Sequence, residues 1–293
     1  MNILVIGGTR LMGRHLVSAL LREGQDVTIA TRGVSKDPFG DKVHRIVFER
    51  TDEESIRKNL SGHYFDVVFD SLAYCSEDVR MLLGNISCGR YIMISTTAVY
   101  DKHMDTKEPE FDPLSGEVKW CGRGDFPYDE IKRQAERALV QNYSNLSGVA
   151  VRFPFVLGED DYTNRLRFYV EHIISGQPMH IDNYEKQMAF VRSDEAGKFL
   201  AFFAENEFTG QINGASEGTI SIKEIAEYVE RKTGKKPLLS RSGDQAPYNG
   251  ETEYSINTQR ARDLGFQFTP LRDWIFDLLD GYITQLTEKE SKL

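Results

Sequence analysis

Asn2-Ile3-Leu4-Val5-Ile6 is an apolar run of strand length that ends in Gly7-Gly8-Thr9-Arg10-Leu11-Met12-Gly13, after which Leu11, Leu16, Leu20 and Leu21 recur at helical spacing. Strand, glycine turn and helix in that order predict a phosphate site. Glycines let the backbone approach a pyrophosphate, and the new helix points its positive end at the same place. A ligand-free strand-to-helix turn could use the same glycines. A second strand over residues 26–30, about a helix-length later, favours nucleotide binding, with contacts from Gly7 through Gly13.

That second strand ends at Thr31-Arg32-Gly33, with no acidic residue at its tip. An acid there would bind the adenine-side ribose hydroxyls, whereas a basic residue tolerates a 2′-phosphate. Thr31 and Arg32, together with Arg10 in the glycine turn, predict NADP(H) in preference to NAD(H). The competing reading is that both arginines are merely solvated loop residues. Glu49, just past a third strand over 44–48, is placed to meet the adenine amine.

Further strands are expected at 65–70 and 91–94, with a helix opened by Thr51-Asp52-Glu53-Glu54 in a capping-box arrangement and another over 77–83. Alternating strands and helices with apolar runs predict an α/β doubly wound parallel sheet covered on both faces. Residues 1–150 are expected to form the dinucleotide domain. Residues 151–293 form a smaller, interleaved substrate lobe, whose strand at 211–215 returns to the main sheet. Within the lobe, Ser221 starts a helix that Gly234 stops, and helices follow at 257–264 and 271–282.

The totals exclude several functions. A net charge of −9 argues against a nucleic-acid partner, although a local basic patch is compatible with it. Three cysteines without C-x-x-C spacing imply neither a disulfide framework nor zinc, and six histidines show no metal spacing. There is no apolar run of membrane-spanning length and no signal-peptide pattern, so a cytoplasmic location is expected. A serine-hydrolase elbow is also missing.

Beyond the fifth strand come Ser95-Thr96-Thr97-Ala98-Val99-Tyr100, then a polar loop over 101–127 that delivers Tyr128-Asp129-Glu130-Ile131-Lys132. Tyr128 and Lys132 are four apart, hence neighbours on one helical face. A lysine ammonium stabilises a phenolate and can hold a ribose. By itself such a pair is usually incidental; its meaning comes from the glycine turn and the hydroxyls before it.

With these motifs the chain resembles an extended or atypical short-chain dehydrogenase/reductase. That superfamily contains the NAD-dependent epimerases and dehydratases. Gly7 to Gly13 matches its G-x-x-G-x-x-G except that Arg10 replaces the middle glycine. This variant is similar to a subgroup with isoflavone-reductase-like and chloroplast stem-loop-binding-like members. The resemblance implies a Rossmann fold, Thr96, Tyr128 and Lys132 as the catalytic set, and Leu72, Ala73 and Phe153 beside the cofactor. Val151-Arg152-Phe153-Pro154 resembles the family's sixth strand, with its proline one place late. Arg165 and Arg192 fall in substrate-side segments, where they could grip a nucleotide diphosphate or equally be surface ion pairs.

Thr97-Ala98 stand where the resembling 4,6-dehydratases carry Asp-Glu, so dehydration is disfavoured. The resemblance thus implies an NAD(P)-dependent oxidoreductase or isomerase, either epimerase or reductase, acting on a sugar nucleotide or a related carbonyl or alcohol. A homodimer is expected from the same source. The alternative is a non-enzymatic cofactor-sensing or RNA-binding regulator on the same fold.

Overall fold

The computed structural model describes residues 1–290 of the chain; the last three residues of the C-terminal half lie outside the described residues. Its first half alternates β1 (Asn2–Ile6), α1 (Leu11–Arg22), β2 (Asp26–Thr31), β3 (His44–Val47), α2 (Glu53–Leu60), β4 (Tyr64–Asp70), α3 (Ser76–Leu83), β5 (Ser87–Thr96), α4 (Tyr128–Asn142) and β6 (Ser147–Phe153). The second half contains β7 (Phe155–Leu157), α5 (Arg165–Ser175), β8 (Met179–His180), β9 (Phe190–Arg192), α6 (Ser193–Phe202) and β10 (Gly210–Asn213). It ends with α7 (Ile222–Thr233), β11 (Asp244–Gln245), α8 (Gln259–Asp263) and α9 (Ile275–Glu290).

Seven strands form one sheet in the order β10-β6-β5-β4-β1-β2-β3, and every pair is parallel. This is the Rossmann-type doubly wound α/β fold. The order reverses direction at β1, so a crevice opens beyond the carboxyl ends of β1 and its neighbours.

Strand β1 shows why the apolar runs have no polar alternation. Ile3 and Val5 pack with Leu16, Val17, Phe199 and Leu200 from α1 and α6, while Leu4 and Ile6 pack with Ile56, Val79, Leu82 and Ala135 from α2, α3 and α4. Helices bury both faces of the sheet. On one face α1 and α6 approach so closely that a Cβ on Gly197 would lie 2.4 Å from the Cβ of His15.

A second apolar core lies in the C-terminal lobe, among Tyr169, Ile173, Phe190, Ile225, Val229, Ile275 and Leu279. Strand β10 leaves that part of the chain and runs parallel beside β6, pairing Ile212 with Val151. Helix α7 starts with a reciprocal capping box between Ser221 and Glu224 and stops at Gly234, whose φ is 72°.

Two element expectations need correction. The N-cap of α2 is Asp52, not Thr51: its carboxylate accepts from the Glu54 N–H at 2.9 Å, while the Thr51 hydroxyl donates to Glu49. The helix expected over 271–282 is a short 3₁₀ turn, Leu271–Asp273, followed by α9. Trp274, with φ −134°, interrupts the helical backbone between them.

Candidate nucleotide site

A cleft of about 610 Å³ lies over the carboxyl ends of β1 to β4. It is lined by Gly7 to Gly13, by Thr31, Arg32 and Ser35, by Glu49 to Thr51, and by Ser71, Leu72 and Tyr74, with Arg123 and Tyr162 reaching in from later loops. Thus four arginines (Arg10, Arg32, Arg50, Arg123) face a single acid, Glu49, in a chain whose net charge is −9. Such a local reversal of sign suits an anionic ligand.

The floor has the shape of a phosphate cradle. A Cβ on Gly13 would stand 2.9 Å from the Gly8 Cα, so the glycines permit the close crossing of turn and helix. Among the described residues helix α1 has no side-chain cap; the Gly13 N–H donates to the Arg10 carbonyl at 3.0 Å, and the N–H groups before it face the ligand position. Arg10 replaces a family glycine without backbone cost, because its φ and ψ are −139° and 155°. The left-handed conformation falls instead on Leu11, at φ 45°. The Arg10 guanidinium donates to the Ser35 hydroxyl at 3.1 Å and lies 5.0 Å from the centroid of the Tyr162 ring.

Glu49 accepts from the backbone N–H of Thr51 at 3.2 Å and from its hydroxyl at 3.0 Å. Those bonds, the backbone one first, hold its carboxyl below the usual range, and nearby Arg32 adds to the effect. Beneath it Arg50, only 2% exposed, donates from Nη2 to Asp70 at 2.6 Å and to the Asp78 carbonyl at 2.8 Å. Among the described residues its Nε and Nη1 have no hydrogen-bond partner, although Nη1 lies 4.0 Å from an Asp78 carboxylate oxygen.

Thr96, Tyr128 and Lys132 converge beside this cleft but do not line it. Tyr128 opens α4, and Lys132 follows one turn later on the same helix. The Lys132 ammonium is buried and donates to the carbonyls of Ala73 at 2.8 Å and Ile94 at 2.6 Å. Burial is the main cause that lowers its pKa to about 8, with Glu136, Asp70 and Asp78 pulling the other way. An ammonium has three N–H donors, so one is left after the two carbonyls.

Tyr128 is half exposed. Desolvation of its ring raises the phenol above its ordinary value; the Thr96 hydroxyl opposes this, Tyr74 reinforces it and Arg165 opposes it. Thr96 is oriented by accepting the Ala98 N–H at 3.1 Å. Ala73 is buried at the end of β4, and Phe153 is buried edge-on to Phe199, so neither opens onto the cleft.

The two substrate-side arginines are not brought together. Arg165 lies 5.4 Å from the Phe155 ring centroid, within the electrostatic reach of Tyr128. Arg192 donates to Asp194 at 2.5 Å and lines a separate cleft of about 460 Å³ with His15, Asp160 and Trp274. Arg152 is wholly buried on Glu136 and Tyr100. Among the described residues no group of His, Cys, Asp or Glu could hold a metal, and no helix is long and apolar enough to cross a membrane.

Sequence reasoning missed Tyr74, Arg50, Arg123 and Tyr162. Tyr74 had a local signal, since it follows Leu72-Ala73 at the end of a strand that borders the ligand crevice. Arg123 and Tyr162 come from loops, and only the fold carries them there.

Comparison with known proteins agrees with the fold. Residues 3–82 match the NAD dependent epimerase/dehydratase family. The match bears out the resemblance drawn from the glycine turn. A chloroplast stem-loop binding protein of 41 kDa from Arabidopsis thaliana is 25% identical over 196 residues, covering 62% of this chain and 49% of the relative. The alignment therefore spans about half of that protein's length.

Among solved structures, MoeE5 in complex with UDP-glucose and NAD superposes with a TM-score of 0.72 at 19% identity, covering 99% of both chains. UDP-glucuronic acid 4-epimerase from Bacillus cereus, in complex with UDP-glucuronic acid and NAD, gives a TM-score of 0.74 at 18% identity, covering 98% of this chain and all of that one. At such identities the likeness establishes the fold.

Proposed function

We propose that this chain is an NAD(P)-dependent epimerase or reductase acting on a sugar nucleotide or a related carbonyl or alcohol, with Tyr128 as acid and base. The arginine-lined cleft on the glycine turn carries the reading. Gly7 to Gly13 and the start of α1 would hold the pyrophosphate, Glu49 the adenine amine, and Thr31, Arg32, Arg10 and Ser35 the 2′-phosphate of NADP(H). Leu72 and Ala73 would border the cofactor through their backbone, with Phe153 packed behind it. The NAD held by the related folds supports the class of ligand, and the arginines support the phosphorylated form.

When bound, the nicotinamide ring would donate or accept a hydride. The remaining steps belong to this chain. Thr96 would donate a hydrogen bond to the reacting oxygen, and Tyr128 would pass a proton to it or take one from it. Lys132 would use its remaining N–H on a ribose hydroxyl, while its charge favours the phenolate. Arg165 would meet an anionic part of the substrate; Arg192, paired with Asp194, takes no part in this proposal. Without an acid–base pair at Thr97-Ala98, dehydration is not proposed.

In this reading residues 1–150 bind the cofactor and residues 151–293 bind the substrate, the protein acts in the cytoplasm, and a homodimer is the expected assembly. Hydride transfer to UDP-hexoses and small carbonyl compounds, followed by nicotinamide absorbance and product analysis, tests it. Turnover that falls at least about a hundredfold in folded Tyr128→Phe is expected. Unchanged turnover in that variant would end the assignment of Tyr128.

A second reading is RNA binding, supported by the Arabidopsis relative's name and by Tyr74 and Tyr162, aromatic rings among cleft arginines on which bases could stack. It predicts binding of a stem-loop RNA that weakens steeply with salt. Its failure at low salt would remove it.

A further inference from the structure

Tyr74 is the residue through which the cleft meets the catalytic trio. Its ring lines the cleft. The same ring meets Tyr128 edge-on at 6.4 Å between centroids, and the Lys132 Nζ lies 5.8 Å from its centroid. Thr96, Tyr128 and Lys132 themselves do not line the cleft. A dinucleotide whose phosphates sit on the glycine turn would pass the Tyr74 ring on its way to the half-exposed Tyr128.

Arg123 holds the tyrosine there. Its guanidinium lies 4.7 Å from the Tyr74 ring centroid while it donates to Asp78 at 3.0 Å and to the Leu72 carbonyl at 2.9 Å. The Tyr74 backbone is fixed independently, because its N–H donates to Asp78 at 2.8 Å. Rotation of the side chain breaks the cation–π and edge contacts and its packing against Cys75, Cys121 and Ile131, and leaves the backbone in place.

We infer that Tyr74 is a gate between the two halves of the cofactor site, and that it sets the ligand preference of the resting protein. Given the dinucleotide reading above, on which this rests, the closed ring admits an adenosine phosphate alone and excludes the nicotinamide half. Only the fraction of molecules with Tyr74 swung aside binds the whole dinucleotide productively, so its apparent affinity is reduced by that fraction. Contacts of this kind hold the open fraction at about one in ten.

The test is calorimetric titration of the full chain with NADP⁺ and, separately, adenosine 2′,5′-bisphosphate, using the parent, Tyr74→Leu and Tyr74→Phe. The leucine keeps apolar packing without the flat ring; the phenylalanine keeps the ring. Thermal melts establish that each variant is folded. In the parent the two ligands should bind with similar affinity. In Tyr74→Leu, NADP⁺ should tighten about tenfold with the bisphosphate unchanged, and Tyr74→Phe should match the parent.

If Tyr74→Leu weakens NADP⁺ or leaves it unchanged while the bisphosphate binds normally, the ring is a supporting wall and the gate is refuted. Absence of binding by both ligands in all three folded proteins would overturn the gate and the dinucleotide reading together.

Discussion

Arg152 and Arg50 are both buried arginines near the carboxyl end of the sheet, yet their surroundings differ. Every nitrogen of Arg152 has a partner: Nε and Nη2 on Glu136, Nη1 on the Tyr100 hydroxyl and the Glu108 carbonyl, and Nη2 also on the Phe111 carbonyl. Glu136 in turn accepts from Ser95 at 2.5 Å. The resulting network knits β5, α4, β6 and the 101–127 loop together. Arg50 hydrogen-bonds only through Nη2, on Asp70 and Asp78; among the described residues its buried Nε and Nη1 have no hydrogen-bond partner, and Nη1 lies 4.0 Å from an Asp78 carboxylate oxygen. A complete network fixes structure, whereas an incomplete one beside a cleft leaves donors for a ligand.

The largest effect expected from this contrast is on stability. Arg152→Met strands the Glu136 carboxylate in the core and should cost about 3–5 kcal/mol in urea unfolding, with most of the loss recovered by adding Glu136→Leu. A loss under about 1 kcal/mol would mean that the network is not closed.

Lys132 sharpens the comparison, since its hydrogen-bond partners are neutral carbonyls. Its pKa is lowered to about 8 from an ordinary 10.5, so between those values the unfolded chain binds more protons than the native one. The penalty of the buried charge is present below about pH 8 and is relieved as pH rises towards 10.5. Stability relative to Lys132→Met should therefore increase by up to about 3 kcal/mol across that window. Parallel pH curves for the two proteins would refute the uncompensated burial.

Arg50→Met should cost less than the Arg152 change, about 2 kcal/mol, because Asp70 keeps the Tyr91 hydroxyl and the Leu72 N–H. It should also weaken adenine-nucleotide binding, which the Glu136/Arg152 double change should leave intact. The smallest effect belongs far from both arginines: Ser221→Ala, which removes the α7 capping box, should cost about 1 kcal/mol and leave binding alone.

How much of this was legible in the sequence followed from the range of the forces involved. Strand β1, the glycine turn and α1 are local and could be read directly, as could the α4 spacing of Tyr128 and Lys132. The Ser221 and Gly234 boundaries of α7 were local too. The cap of α2 was misplaced by one residue because Thr51 and Asp52 are both competent N-caps, and the choice depended on the Thr51–Glu49 bond.

The role of Arg152 could not be read, since its partners come from three segments distant in the chain. Arg123 and Tyr162 were likewise invisible: each reaches the cleft from a loop whose course only the folded sheet defines. Tyr74 was within reach, as it follows two residues already assigned to the cofactor, but its contact with Tyr128 is tertiary.

In the proposed function the arginine-lined cleft binds a phosphorylated dinucleotide. Calorimetric titration of the parent, Arg10→Ala and Arg32→Ala with NADP⁺, NADPH, NAD⁺ and NADH tests it most directly. NADP(H) is expected to bind more tightly than NAD(H), with each arginine change removing about tenfold of NADP(H) affinity and little of NAD(H) affinity. Absence of binding by all four, or equal loss for both cofactors in the arginine variants, would contradict it.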